Sequence, residues 1–242
     1  MGHYAKRFFG DGIVKDSLKL WYNMGNSNSY PGTGTTVYDL SASVYNGTLS
    51  NSVVYNSLGG GSVYFNNNGF VDCTSNFNFE RTQAFSIGVW TYSDVSNNTT
   101  NTIIFDNITS STNRGFGLFY ASSKYKFVLR NTVTTNTVDV LTTSNSIHGS
   151  WTYIIVTYNG NSLASGVNIY VNGVLQSKTT NYDNLTATIV PSPINKLVYG
   201  RRQDLSAKGY IGYMNDFTVY NKELTAEEVN KNYQTTRSKY GI

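Results

Sequence analysis

Carboxylates, histidines and nucleophilic side chains would carry hydrolytic chemistry, and in this chain they are few and poorly spaced. Glutamate occurs only as Glu80, Glu223, Glu227 and Glu228, three of them crowded near the C-terminus. Hydrolysis of a glycosidic bond needs two carboxyl groups flanking one cleft at a set separation. The string Glu-x-Asp-x-x-Glu, which would put such groups on one strand, is absent, and the ten aspartates include no closely spaced pair. Two histidines, His3 and His148, are too few for a histidine metal cluster. Ser150 lies close to His148 but no nucleophile elbow surrounds it, so His148 is expected to be a loop or strand-start residue. Cys73 is the single cysteine, which rules out an intrachain disulfide or a cysteine zinc site and predicts a small buried hydrophobe. No Asp-x-Asp-x-Asp-Gly calcium loop occurs. The stretch Asn28–Ser41, NSYPGTGTTVYDLS, holds Gly-x-Gly but neither the Lys-Ser/Thr of a phosphate loop nor a third glycine with a following helix pattern. Its glycines are expected to serve turns, with Pro31-Gly32 a type II centre. No enzyme is expected.

The elements that would position any site are strands. Charged residues make up 13% of 242, about half the usual ~25% for globular domains, and Tyr, Asn, Thr, Ser and Gly take their place. Apolar and β-like runs recur at 53–65, 85–92, 102–105, 115–120, 125–129 and 210–220, separated by Gly/Asn turns. In Val167–Val171 (VNIYV) alternation puts Val167, Ile169 and Val171 on one face and Asn168 and Tyr170 on the other. Asn172-Gly173 then predicts a type I′ hairpin. Many short strands without intervening helices predict one all-β domain, a two-sheet antiparallel sandwich. Thr225-Ala226-Glu227-Glu228 is a capping box that predicts one short C-terminal helix ending near Tyr233. The net charge of +4 is scattered, so no basic stripe for nucleic acid is expected, and no run is long enough to predict a membrane span. The first residues lack the apolar core of a signal peptide.

Four stretches resemble the concanavalin A-like lectin/glucanase superfamily in its laminin G-like branch. They are Phe85–Trp90 (FSIGVW), Trp151–Asn161 (WTYIIVTYNGN), the hairpin Val167–Gln176 and the closing run Tyr210–Val229. Gly12–Leu20, Asn28–Ser41, Tyr45–Asn51 and the ending Asn230–Ile242 are similar to the lead-in and ending of laminin G-like domains on phage structural proteins. The resemblance implies a jelly-roll sandwich, a place on a virion, other virion proteins as partners, and binding of host-surface polysaccharide. The family's closing motif has Asp-Glu where this chain has Asn215-Asp216. Fewer carboxylates make a weaker hard-cation site, so the calcium that some relatives bind is not expected, nor any other cofactor.

On that resemblance Trp90 and Trp151 fall in core strands and Trp21 in the lead-in strand, where packing is the expected role. Candidate carbohydrate-binding residues are those predicted on loops: Arg114, Phe116, Tyr182, Arg201 and Arg202. An arginine pair also suits acidic polysaccharide or a partner's carboxylate; the alternative for each residue is a solvated loop or a subunit contact. The predicted organisation is an N-terminal arm over 1–11, the sandwich over 12–234 and a tail over 235–242. Both ends are expected to be attachment arms, with Phe8 and Phe9 as an apolar anchor. Exposed sheet edges suggest a homo-oligomer.

Overall fold

The computed structural model describes residues 12–50, 52–73, 77–94, 101–191, 194–202 and 208–242; the arm over 1–11, with Phe8 and Phe9, lies outside them. In chain order the first strands are β1 (Leu18–Tyr22), β2 (Thr36–Val37), β3 (Gly47–Leu49), β4 (Val54–Asn56), β5 (Ser62–Asn66) and β6 (Val71–Cys73). There follow β7 (Phe85–Ser93), β8 (Thr102–Asp106), β9 (Gly115–Ala121), β10 (Lys124–Thr132), β11 (Asn136–Thr142) and β12 (Trp151–Tyr158). The last are β13 (Val167–Val171), β14 (Val174–Leu175), β15 (Lys178–Asp183), β16 (Leu197–Tyr199), β17 (Ile211–Tyr220) and helix α1 (Ala226–Thr236).

Two antiparallel sheets result, the sandwich that the strand pattern predicts. One has eight strands in the order β14-β13-β12-β7-β17-β5-β4, with β1 also paired to β17. The other has nine, β15-β11-β10-β9-β8-β16-β6-β3-β2. Alternation decides what fills the space between them. Val167, Ile169 and Val171 enter the inter-sheet core while Tyr170 turns outward. The β13–β14 hairpin turns through Asn172 and Gly173 at φ 50° and 79°, the positive values a type I′ turn needs. The stretch 53–65 folds back on itself as β4 and β5, and Gly59, Gly60 and Gly61 at the bend all have positive φ. Gly32 sits at φ 85°, as a type II centre requires, and the Tyr30 hydroxyl closes the loop by donating to the Gly34 carbonyl at 2.8 Å.

The outer face of the eight-stranded sheet is apolar, and the C-terminal segment covers it. Thr225 and Glu228 form the predicted reciprocal cap at the start of α1. The helix runs on to Thr236, and a 3₁₀ turn over Arg237–Tyr240 continues it. Within 235–242, expected as a tail and attachment arm, Thr236 and Tyr240 are therefore buried against the sheet, while Ser238, Lys239, Gly241 and Ile242 stay exposed. Tyr240 stacks on Trp90 at 4.1 Å between ring centroids, and its hydroxyl donates to Asp216 Oδ2 at 2.9 Å. The reason for the correction is physical: Trp90, Trp151 and Tyr153 form an aromatic surface that water would cover poorly, and Tyr240 and Val229 shield it. Among the described residues no helix is long and apolar enough to cross a membrane.

Candidate functional site

The nine-stranded sheet has a different outer face. In β10, Tyr125, Phe127 and Leu129 join the inter-sheet core, so Lys126, Val128 and Arg130 face outward. Register carries that face across the sheet in one row. Tyr182 stands opposite Asp139, Asp139 opposite Val128, Val128 opposite Gly117, and Gly117 opposite Asp106. Asp106 in turn faces Val198, and Val198 faces Asp72.

Three carboxylates in this row each hold a cation. Asp139 pairs with Lys126 at 2.8 Å, Asp106 with Arg202 Nε at 2.7 Å, and Asp72 with Lys196 at 2.8 Å. The Asp106 carboxylate is wholly shielded from solvent, and burial of an unpaired charge there would cost several kcal/mol. Beneath the charges lies a small apolar layer of Ile103, Ile108, Phe119 and Val128, separate from the main core. Gly117 makes this layer possible: a Cβ there would meet the Asp106 Cβ at 2.6 Å and Phe119 Cζ at 2.7 Å.

Over this floor opens a cavity of about 490 Å³ lined by Phe119, Lys126, Arg130, Asp139, Tyr182 and Arg202. Its size falls within the roughly 300–1,000 Å³ of small-molecule sites. Asn101 and Asn113 add amides to the lining. Tyr182 is 38% exposed, on a strand at the edge of the sheet. The groove thus combines an aromatic face, amides and cations over a buried, ion-paired floor.

Two of the five candidate binding residues, Tyr182 and Arg202, meet in this groove. Arg201 turns away and donates to the Asn67 carbonyl and to Asn68 Oδ1. Arg114 is half-buried in the turn before β9 and does not line the cavity, although its neighbour Asn113 does. Phe116 is a correction. It sits in β9, fully buried between the sheets, with its ring 5.0 Å from Phe85 and 6.0 Å from Phe79. Alternation from Gly115 sends Phe116, Leu118 and Tyr120 inward and leaves Phe119 outside. Lys126, Arg130 and Asp139 were not among the candidates. The alternation in Lys124–Arg130 (KYKFVLR) does carry the signal for the first two.

Other polar groups serve the fold. His148 bonds Ser93 through Nδ1 at 2.9 Å and Ser146 through Nε2 at 2.8 Å, so neither nitrogen meets Ser150; burial lowers its pKa. Asn215 accepts from the Met24 amide and donates to the Gly61 carbonyl, and Asp216 accepts from Trp21 Nε1, Lys239 Nζ and the Tyr240 hydroxyl. The closing-motif position therefore holds the lead-in and the ending against β17. Among the described residues no group of three or more His, Cys, Asp or Glu side chains could hold a metal ion. Cys73 is buried, and burial pushes its thiol pKa well up.

A two-sheet sandwich with a polar groove on one outer face defines a lectin-like β domain. Residues 65–230 match the laminin G-type profile described as the concanavalin A-like lectin/glucanases superfamily, and the chain belongs to that superfamily. No curated protein matches it in sequence. Among solved structures it is similar to domain 4 of AbnA, a GH43 extracellular arabinanase from Geobacillus stearothermophilus, in complex with arabinotriose. That match has 17% identity and a TM-score of 0.61, over 90% of this chain and 98% of the other. It is similar also to the binding domain of Paraclostridial Mosquitocidal Protein 1, with 17% identity, a TM-score of 0.65, and 90% and 52% coverage. The ligand-binding domain of botulinum neurotoxin serotype D, in complex with N-acetylneuraminic acid, gives 16% identity, a TM-score of 0.63, and 91% and 51% coverage. The chain spans about half the length of these toxin domains.

Proposed function

We propose that this chain is a non-catalytic glycan-recognition module whose site is the groove on the outer face of the nine-stranded sheet. One observation carries the reading: the exposed Tyr182 ring stands beside amides and cations in a cavity of about 490 Å³. An aromatic face offers apolar contact to the C–H side of a sugar ring, and the polar groups suit its hydroxyls. The sugar complexes of two structural relatives support it. A glycan array probed with the purified chain tests it. Capture of at least one oligosaccharide, weakened about tenfold by Tyr182→Ala, is expected from loss of an aromatic contact. An array without capture, or capture that Tyr182→Ala leaves unchanged, would overturn the reading.

A second reading concerns where the module works. The likeness of Gly12–Asn51 and Asn230–Ile242 to the lead-in and ending of laminin G-like domains on phage structural proteins supports a place on a virion, as a capsid decoration or a tail or fibre component. Immunogold labelling of intact particles from the source tests this. Label on head or tail is expected; particles that stay bare contradict it.

A further inference from the structure

Among the described residues, three carboxylates on the outer face of the nine-stranded sheet are paired with cations, and Arg130 beside them is not. Asp139, Asp106 and Asp72 each have a cation within ion-pair distance. Arg130 has no carboxylate opposite it: the residues across from it on the neighbouring strands are Gly115 and Thr137. Among the described residues its guanidinium makes no hydrogen bond and no ion pair, and its Nε is shielded from solvent. Burial lowers its pKa, nearby Arg202 adds to the effect, and the carboxylates of Asp139 and Asp106 oppose it from beyond ion-pair distance. A guanidinium nevertheless stays charged in a protein. A buried donor left unsatisfied is costly, the more so when it is charged.

The group that would complete Arg130 can be described by its chemistry. Arg130 lines the groove together with Lys126 and Arg202, whose own carboxylates already partner them, so the unmet demand is for one more anion. The guanidinium is a planar fork and matches a planar two-oxygen acceptor. Tyr182 and the amides of Asn101 and Asn113 line the same cavity.

We propose that the groove takes a sugar bearing a carboxylate, a hexuronate or a sialate unit of an acidic polysaccharide, with the carboxylate bound to Arg130. The proposal rests on the glycan reading of this groove and adds the ligand's class and its anchor. Arg202, one of the arginines expected on predicted loops, is instead a fixed wall held by Asp106.

Isothermal titration of the full chain with four probes tests it: oligogalacturonate, α2,8-oligosialate, the carboxyl-reduced form of each, with dextran sulfate as the sulfated control. The expected result is binding to at least one carboxylated probe about tenfold tighter than to its reduced form, as for a desolvated ionic contact. The probe that binds distinguishes a uronate from a sialate. Arg130→Gln should abolish the preference for the carboxylated probe over its reduced form. Arg130→Lys should not restore it, because a point charge lacks the fork. The melting temperature of ligand-free Arg130→Gln should equal or exceed that of the parent, since the change removes a charge with no partner. Equal binding of carboxylated and reduced probes, a preference that survives Arg130→Gln, or tighter binding of dextran sulfate would each overturn the inference and leave the glycan reading standing. A markedly lower melting temperature for Arg130→Gln would overturn it too, by showing that the fold itself satisfies the group. Failure of all probes, together with an array that captures nothing, would overturn both.

Discussion

The outer faces of the two sheets make the most instructive comparison in this molecule. On the eight-stranded sheet the face is aromatic, and the chain covers it with its own helix and ending: Trp90 is fully buried beneath Tyr233 and Tyr240. On the nine-stranded sheet the face is charged, and a cavity remains over it. An apolar face must be covered for the domain to be stable, whereas a face whose carboxylates hold their own cations can stay open to water. On the proposed function recognition falls to the open face, while the covered face adds a second apolar cluster to the core between the sheets.

The comparison can be broken most sharply at Trp90. Trp90→Ala removes the centre of the covered face, including the Nε1 hydrogen bond to Thr236 Oγ1 at 2.9 Å. About 3–5 kcal/mol of stability should be lost by urea denaturation, with glycan affinity per folded molecule unchanged. Asp106→Asn probes the open face. It strands Arg202 beside a buried amide and should cost about 3 kcal/mol; here the remaining folded protein should also bind glycan less well, because Arg202 is a wall of the groove. If Asp106→Asn lowers stability and leaves binding alone, the two faces are not functionally distinct in the way described. Thr225→Ala removes the helix cap on the closed side and should cost about 1 kcal/mol, again without effect on binding.

The smallest effect should come from His148, which belongs to neither outer face. It joins the sheets, bonded to Ser93 of β7 and packed 4.9 Å from the Tyr120 ring of β9. Burial lowers its folded-state pKa below the ordinary ~6.5. The unfolded chain therefore takes up a proton first as pH falls. The stability contributed by neutral His148 is complete above about pH 6.5 and is lost as pH drops through the folded-state value. Melting temperatures followed from pH 7.5 to 5.5 should fall less steeply in His148→Asn than in the parent.

Much of the fold was legible because period-two alternation and turn chemistry are local. VNIYV, Asn172-Gly173 and the capping box at Thr225 each fix their geometry within a few residues, and each is found as expected. The groove was less legible because β15 and Arg202, from far along the chain, join the consecutive strands β9, β10 and β11 only in the folded sheet. Tyr182 and Arg202 could be picked as polar or aromatic residues on apparent loops. Asp139 could not, since in NTVDVLT it looks like an ordinary polar position, and its role follows from Lys126 on the next strand. Phe116 was misplaced although 115–120 already reads as a strand: alternation along that strand sends it inward with Leu118 and Tyr120. The ending was taken for a tail because its burial depends on Trp90, some 150 residues earlier.

The central claim is that ligand binds the open face and not the covered one. Hydrogen–deuterium exchange of the full chain, with and without the tightest glycan found on the array, tests this most directly. The account predicts added protection in β10 and β11 and in the turn at 107–115, with β7, β12 and α1 unchanged. Protection confined to α1, β7 or the β13–β14 hairpin would contradict it.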